Sequence, residues 1–84
     1  MITILYFARL RETLGKGSET LDLPRDVRDI AGLQRMLASR GGPWAEILGQ
    51  DRNVRAAVNQ AMAGGTVAVA DGDEVAFFPP VTGG

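Results

Sequence analysis

Residues 2–8 read ITILYFA, apolar at nearly every position and rich in β-branched and aromatic side chains. Such a run predicts a strand covered on both faces rather than a half-exposed one. Leu10 and Leu14 then stand four apart before Gly15, which predicts a short helical turn stopped by glycine. Residues 15–18 (GKGS) read as a turn. Residues 19–24 (ETLDLP) alternate Leu21 and Leu23 with polar neighbours, a second, half-exposed strand paired with the first. The clearest helix starts at Asp29, a favourable N-cap, and runs to about Arg40, with Ile30, Leu33 and Leu37 on one face and Met36 beside them. Gly41, Gly42 and Pro43 end it. Trp44, Ile47 and Leu48 then form an apolar plug in the following loop or short helix.

The second half is built of shorter pieces. Residues 53–58 (NVRAAV) predict a short strand and Asn59-Gln60 a turn, residues 66–70 (TVAVA) alternate weakly, residues 71–73 (DGD) form a turn, and residues 74–79 (EVAFFP) make a last strand. The order is therefore a hairpin, a helix, then short strands, with an apolar strand at each end of the chain. A hairpin followed by a helical crossover commonly returns a later strand parallel to the first and beside it. The expected fold class is α+β, a mixed sheet with one main helix packed across it, of the ubiquitin-like, β-grasp kind. Residues 1–80 form the domain and residues 81–84 an extended tail.

Composition narrows the chemistry more than the architecture. Eighty-four residues with no Cys and no His leave no thiol nucleophile, disulfide, iron–sulfur cluster or ordinary zinc site, and no His to serve as a general base. A self-sufficient hydrolase is improbable on that ground. The formal net charge of −1 and the scattered basic residues argue against a nucleic-acid or membrane-surface binder. The apolar start has no basic n-region and is far short of the roughly 20 residues a membrane span needs. A soluble, cytoplasmic protein with no bound cofactor or metal is expected. Asp71, Asp73 and Glu74 are ordinary turn chemistry around Gly72 rather than an acid–base pair or a calcium loop. Residues 15–18 lack the spacing of a phosphate loop, so the chain is not expected to bind ATP itself.

The most informative stretch is residues 71–84, DGDEVAFFPPVTGG. Pro79 and Pro80 cannot donate to a sheet ladder and must leave it, so the tail begins stiff and extended. Val81 and Thr82 continue it, and Gly83 and Gly84 end it in the two least hindered residues available. A glycine pair passes through a narrow channel in another protein, where a bulkier side chain would collide. A bare Gly-Gly ending is otherwise often just a frayed terminus. The stiff proline pair and the lack of other reactive groups favour a working carboxylate on Gly84.

The ending DGDEVAFFPPVTGG, with ILYFARLRE near the start and AAVNQ in the middle, resembles the small subunits of molybdopterin synthase, over nearly the whole chain. The resemblance implies a ubiquitin-related sulfur carrier. It implies that an E1-like enzyme uses ATP to adenylate the Gly84 carboxylate, which becomes a thiocarboxylate. The large synthase subunit then takes the tail, and the sulfur passes to a cyclic pyranopterin phosphate of molybdenum cofactor biosynthesis. A heterotetramer built on a dimer of large subunits is implied as well. On this reading the chain is a sulfur-donating cosubstrate rather than the catalyst. A cysteine-free donor cannot carry a persulfide, which agrees with a C-terminal thiocarboxylate.

Three further residues are candidates for partner contact. Phe77 and Phe78 are adjacent in a strand and face opposite sides, so if Val75 and Phe77 point at the helix, Phe78 points away. There it either fills the second face under a loop or anchors a partner. Met62 joins that patch on the functional reading, and Arg11 pairs with a partner carboxylate; an isolated surface arginine is more commonly just solvated. Three other functions stay open: a carrier for thiamine or another sulfur-containing product, a modifier joined through Gly84 to lysines of other proteins, and a binding module with an inert tail.

Overall fold

The computed structural model describes residues 1–49 and 54–80. The elements in chain order are β1 (Ile2–Tyr6), α1 (Ala8–Leu14), β2 (Ser18–Leu21), α2 (Ile30–Ala38), α3 (Pro43–Leu48), β3 (Arg55–Val58), β4 (Ala61–Ala63) and β5 (Glu74–Phe78). They form a five-stranded mixed sheet in the order β2-β1-β5-β3-β4. β1 runs antiparallel to β2 and parallel to β5, and β3 runs antiparallel to both β4 and β5. This is the expected β-grasp architecture, with the last strand at the centre of the sheet.

One face of the sheet carries the core. Ile2, Ile4 and Tyr6 of β1 and Val75 and Phe77 of β5 are buried against Leu10 of α1, Ile30, Leu33 and Leu37 of α2, and Leu48 of α3. The alternation in β1 corrects the expectation of a strand covered on both faces: Thr3 and Leu5 are only half-buried. With the helices all on one side, the second face of the strand has no layer to bury it.

Local chemistry marks the helix ends. Gly15 takes φ +75°, and its N–H donates to the Arg11 carbonyl at 3.0 Å, which stops α1. Asp29 caps α2, its carboxylate accepting from the Gly32 N–H at 2.8 Å. The helix ends at Ala38 rather than near Arg40, and Gly41 and Gly42, both at positive φ, turn the chain into α3, which opens on Pro43. The Trp44 plug is this short helix, tied to α2 by the Gln34 side chain donating to the Leu48 carbonyl at 3.1 Å.

The later strands differ from the pattern-based reading. Of the strand expected over residues 53–58, Asn53 lies outside the described residues and the ladder starts at Arg55. Asn59 and Gln60 both adopt positive φ, the geometry of a tight hairpin turn, and lead into β4. Residues 66–70, by contrast, form no ladder beyond the isolated pairing of Asp29 with Ala68. Their backbone is used elsewhere: the Val67 and Gly65 carbonyls accept from the Ile30 and Ala31 N–H groups at 3.1 and 2.9 Å. These are orphan donors of the first turn of α2, so the loop caps the helix and β4 takes its place as the edge strand.

Asn59 also ties this hairpin to the start of β5. Its N–H donates to the Glu74 carbonyl at 2.8 Å, and its side chain accepts from the Glu74 N–H and donates to Asp73, both at 3.0 Å. Asp73 in turn accepts from the Ala70 N–H at 2.8 Å, and these two bonds hold its carboxyl below the usual range. Asp71 pairs with the amino group of Met1.

Because the Gly65 and Val67 carbonyls already satisfy two of the first-turn donors, Asp29→Ala orphans chiefly the Gly32 N–H. The expected loss is about 1 kcal/mol, or a fall in Tm of roughly 4–8 °C. Calorimetry checks it; a loss several times larger would mean that the whole 64–69 loop detaches with the cap.

Candidate functional site

The chain leaves the sheet at the end of its central strand. β5 is hydrogen-bonded on both sides, and the Phe7 N–H still donates to the Phe77 carbonyl at 3.1 Å. Pro79 and Pro80 follow, half-buried, with no strand assigned to them. The exit is therefore a rigid point on the molecule. The site residues Val81, Thr82, Gly83 and Gly84, and with them the 81–84 tail, lie outside the described residues; Pro80 is the last residue of the tail segment that the structure places.

Beside the exit, the sheet presents an apolar face away from the helices. Register aligns Leu5 with Ala76, Ala76 with Ala57, and Ala57 with Met62, so these four side chains form one row across the sheet. Phe78 lies on the same face, opposite Arg55. Phe7 retains extended backbone (φ −118°, ψ 156°), which continues the alternation of Thr3 and Leu5 and sets its ring on this face next to Phe78. Phe78 is half-buried, whereas Phe7 is 47% and Met62 68% exposed, the latter the largest exposure of any large apolar side chain among the described residues. Phe78 and Met62 thus share a face, bridged by small residues, with Phe7 beside Phe78 at the exit end.

Arg11 is positioned differently. It stands on exposed α1, with its guanidinium against Gly17, where an added Cβ would come within 3.1 Å of Nε. Together with Ala8, Glu12, Gly15 and Lys16 it lines a shallow hollow at the exit end of the molecule. The structure does not bring it into the row that joins Phe78 to Met62.

At the same end, a polar and aromatic cluster sits on the helix side. The buried Tyr6 hydroxyl donates to Glu19 at 2.7 Å, and Arg40 donates two bonds to the same carboxylate at 2.9 and 3.0 Å. The Arg40 guanidinium lies 4.4 Å from the centre of the Trp44 ring and the Lys16 ammonium 5.9 Å, while Tyr6 meets Trp44 edge-on at 5.5 Å. Burial, reinforced by the bond to Glu19 and its charge, pushes the Tyr6 phenol far above its ordinary value. Partial burial raises the Glu19 carboxyl, but bonds from Arg40 and Tyr6 and the charges of Arg40 and Lys16 outweigh it and hold the group low. The same bond pushes Arg40 up.

Among the described residues, no group of acidic side chains is arranged to hold a metal ion, and no helix is long and apolar enough to cross a membrane. The acidic residues at positions 71 and 73 are engaged in the turn contacts above.

A model of the ThiS family matches residues 4–84. This chain belongs to the ThiS family. It is 40% identical over 84 residues to the molybdopterin synthase sulfur carrier subunit of Escherichia coli (strain K12), with 100% of each chain covered. It is similar to a solved structure from Pyrococcus furiosus, a putative molybdopterin converting factor, subunit 1, with a TM-score of 0.77 and 30% identity over 95% of this chain and 97% of that one. It is also similar to the small archaeal modifier protein 1 of Haloferax volcanii, with a TM-score of 0.76 and 26% identity over 95% and 97% of the two chains.

Two features of this ThiS-family chain escape the sequence reading. Phe7 and Leu5 are hidden within a run that reads as uniformly apolar; strict alternation counted from the fully buried Ile4 would have separated them. The Tyr6–Glu19–Arg40–Trp44 cluster joins residues up to 38 positions apart, and no local pattern connects them.

The cluster makes acid stability depend on Glu19. Since its folded-state value is lowered, its stabilisation is present above the ordinary glutamate range, near about 4.3, and is lost as pH falls through the lower folded value. Glu19→Gln should cost on the order of 1–2 kcal/mol at neutral pH and flatten the acid limb of the Tm–pH profile relative to wild type. Parallel acid limbs in the two proteins would show that other carboxylates, Asp73 first among them, set the acid sensitivity.

Proposed function

We propose that this chain is the sulfur-carrier subunit of a molybdopterin synthase, with the main-chain carboxylate of Gly84 as its working group. The observation that carries this reading is the end-to-end match to the Escherichia coli sulfur carrier, with 40% identity across the whole of both chains. The geometry supports it. A rigid central strand ends in two prolines beside an apolar face, an arrangement suited to docking the body while the last residues reach into another protein's site.

In this proposal an E1-like partner uses ATP to adenylate Gly84 and release pyrophosphate. A sulfur nucleophile displaces AMP to leave a thiocarboxylate. Within the large synthase subunit that sulfur attacks a cyclic pyranopterin phosphate. Gly83 gives steric access, and Pro80, Val81 and Thr82 space the terminus from the body. Phe78, Phe7 and Met62 dock the partner, with Arg11 at the rim. The chain binds no cofactor itself, and the chemistry is set in the cytoplasm, in a heterotetramer built on a dimer of large subunits. The likeness to the Haloferax volcanii modifier protein favours one second reading, that the same activated carboxylate is joined to lysines of other proteins.

Intact-mass analysis of the protein from cells with active sulfur transfer should show one oxygen replaced by sulfur, with fragmentation placing it on Gly84 rather than as an oxidised Met1, Met36 or Met62. A carboxylate that stays unmodified with the E1-like enzyme, ATP and a sulfur donor present would sink the carrier reading. Isopeptide adducts on many cellular proteins would promote the modifier reading. Separately, Phe7→Asp or Phe78→Asp should weaken large-subunit binding by tenfold or more, the scale of about 2 kcal/mol seen for aromatic anchors, while Arg35→Glu, at an exposed position of α2 on the opposite side of the sheet, leaves it unchanged. Titration calorimetry reads the difference.

A further inference from the structure

The formal net charge of −1 conceals an uneven distribution. The register lines up β1, β2, β3 and β5, so the sheet has two poles. At the pole where β5 finishes stand Arg9 and Arg11 on α1, Lys16 and Arg40 over the Trp44 ring, and Arg55 opposite Phe78. The carboxylates there are Glu12 and Glu19, so cations outnumber them five to two. Asp71, Asp73 and Glu74 stand at the other pole, where β5 begins, with Asp22 just past the end of β2 and Asp26 and Asp29 before α2. The Val69 N–H ties this 22–29 segment to the same pole by donating to the Arg28 carbonyl at 2.9 Å. Arg25, Arg28 and the Met1 amino group oppose those six acids, three cations to six. Arg35 on α2 and Glu46 on α3 add one charge of each sign.

The poles also differ in how their charges are engaged. Asp29 caps α2, Asp71 holds the Met1 amino group, and Asp73 accepts from Ala70 and Asn59. At the cationic pole Glu19 is occupied by Arg40 and Tyr6. Arg9, Arg11, Lys16 and Arg55 are exposed there, and none of the four is ion-paired to a described residue. β1 spans about 17 Å, twice the Debye length of about 8 Å at physiological ionic strength, so a surface approaching one pole is screened from the other. It meets a local excess of positive charge rather than the net charge of the chain. The open apolar face follows the same axis: Glu74, Ala76 and Phe78 succeed one another along β5, and Arg55 flanks Phe78. An apolar band holds a partner without fixing which way round it sits, whereas charge gathered at one end does fix it.

We propose that Arg9, Arg11, Lys16 and Arg55 form an orienting collar for the apolar face, matched by an acidic surface on the protein that docks there. This rests on the carrier reading above, which makes that protein the large synthase subunit. The collar attracts the acidic surface before contact. It turns the chain so that Phe7 and Phe78 arrive on the acidic side of the partner's apolar patch and Glu74 on the far side. The effect falls on the association rate and its salt dependence more than on the lifetime of the complex.

Stopped-flow association of the full chain with the large subunit, between about 20 and about 300 mM salt, provides the test. The wild-type association rate should fall at least tenfold across this range. Arg9→Glu, Arg11→Glu and Arg55→Glu together should slow association at least tenfold at low salt and abolish most of the salt dependence. Arg9→Lys, Arg11→Lys and Arg55→Lys together keep the charge and should keep the rate. Reversal at the other pole, Arg25→Glu with Arg28→Glu, should leave the rate within about twofold, since it lies beyond the screening distance. A rate indifferent to salt, equal slowing by the two reversals, loss of rate in the lysine variant, or faster association on reversing the collar would overturn the proposal and leave the carrier reading standing. No complex at any salt concentration would overturn both, so the two failures are told apart.

Discussion

The parallel pairing of β1 with β5 is the contact on which the other features depend. It joins Thr3 to Glu74 and Tyr6 to Phe77, bringing the two ends of the described fold side by side at the centre of the sheet. The core face follows from it, because Ile4, Tyr6, Val75 and Phe77 are the residues over which α2 closes. So does the position of the exit, since a central strand held on both edges delivers its last residues to a defined place. The first helix, the 15–17 turn and the aromatic cluster of Tyr6 and Trp44 gather at that same end because β1 finishes there.

The two faces of the sheet divide the work. The helix side is closed by aliphatic packing and, at its margin, by a carboxylate shared between Tyr6 and Arg40. The other side keeps a band of Leu5, Ala76, Ala57 and Met62 with two phenylalanines beside the exit. An apolar band left open on a small domain is a common mark of a surface that meets another protein. Here it borders the end of β5, so on the proposed function docking and delivery would share one end of the molecule.

Much of the fold was legible because its signals are local. The Asp29 cap, the Gly15 stop, the Asn59-Gln60 reversal and the DGD turn each rest on a residue type with one strong conformational use. The β-rich ends could be paired from the crossover rule alone. The weak segment at residues 61–70 was not legible. TVAVA has the composition of a strand, yet the first turn of α2 claims its carbonyls, while the plainer AMA gains a ladder from its hairpin partner. Competition for backbone partners is settled in three dimensions. The face assigned to Phe78 followed from its being next to Phe77, but Phe7 was lost in a run without polar punctuation. The proline pair marked the end of the sheet in the sequence as in the structure.

The central pairing is also the least local one in the chain. Loop-closure entropy penalises contacts between residues some seventy positions apart more than the short hairpins on either side. A chain that has formed its hairpins but not its centre already possesses the terminal glycines, yet has neither the exit geometry nor the assembled apolar face. On the proposed function, a partner that must grip the body to reach the terminus would thereby proofread the fold, admitting copies whose most demanding contact is in place and sparing sulfur from misfolded protein.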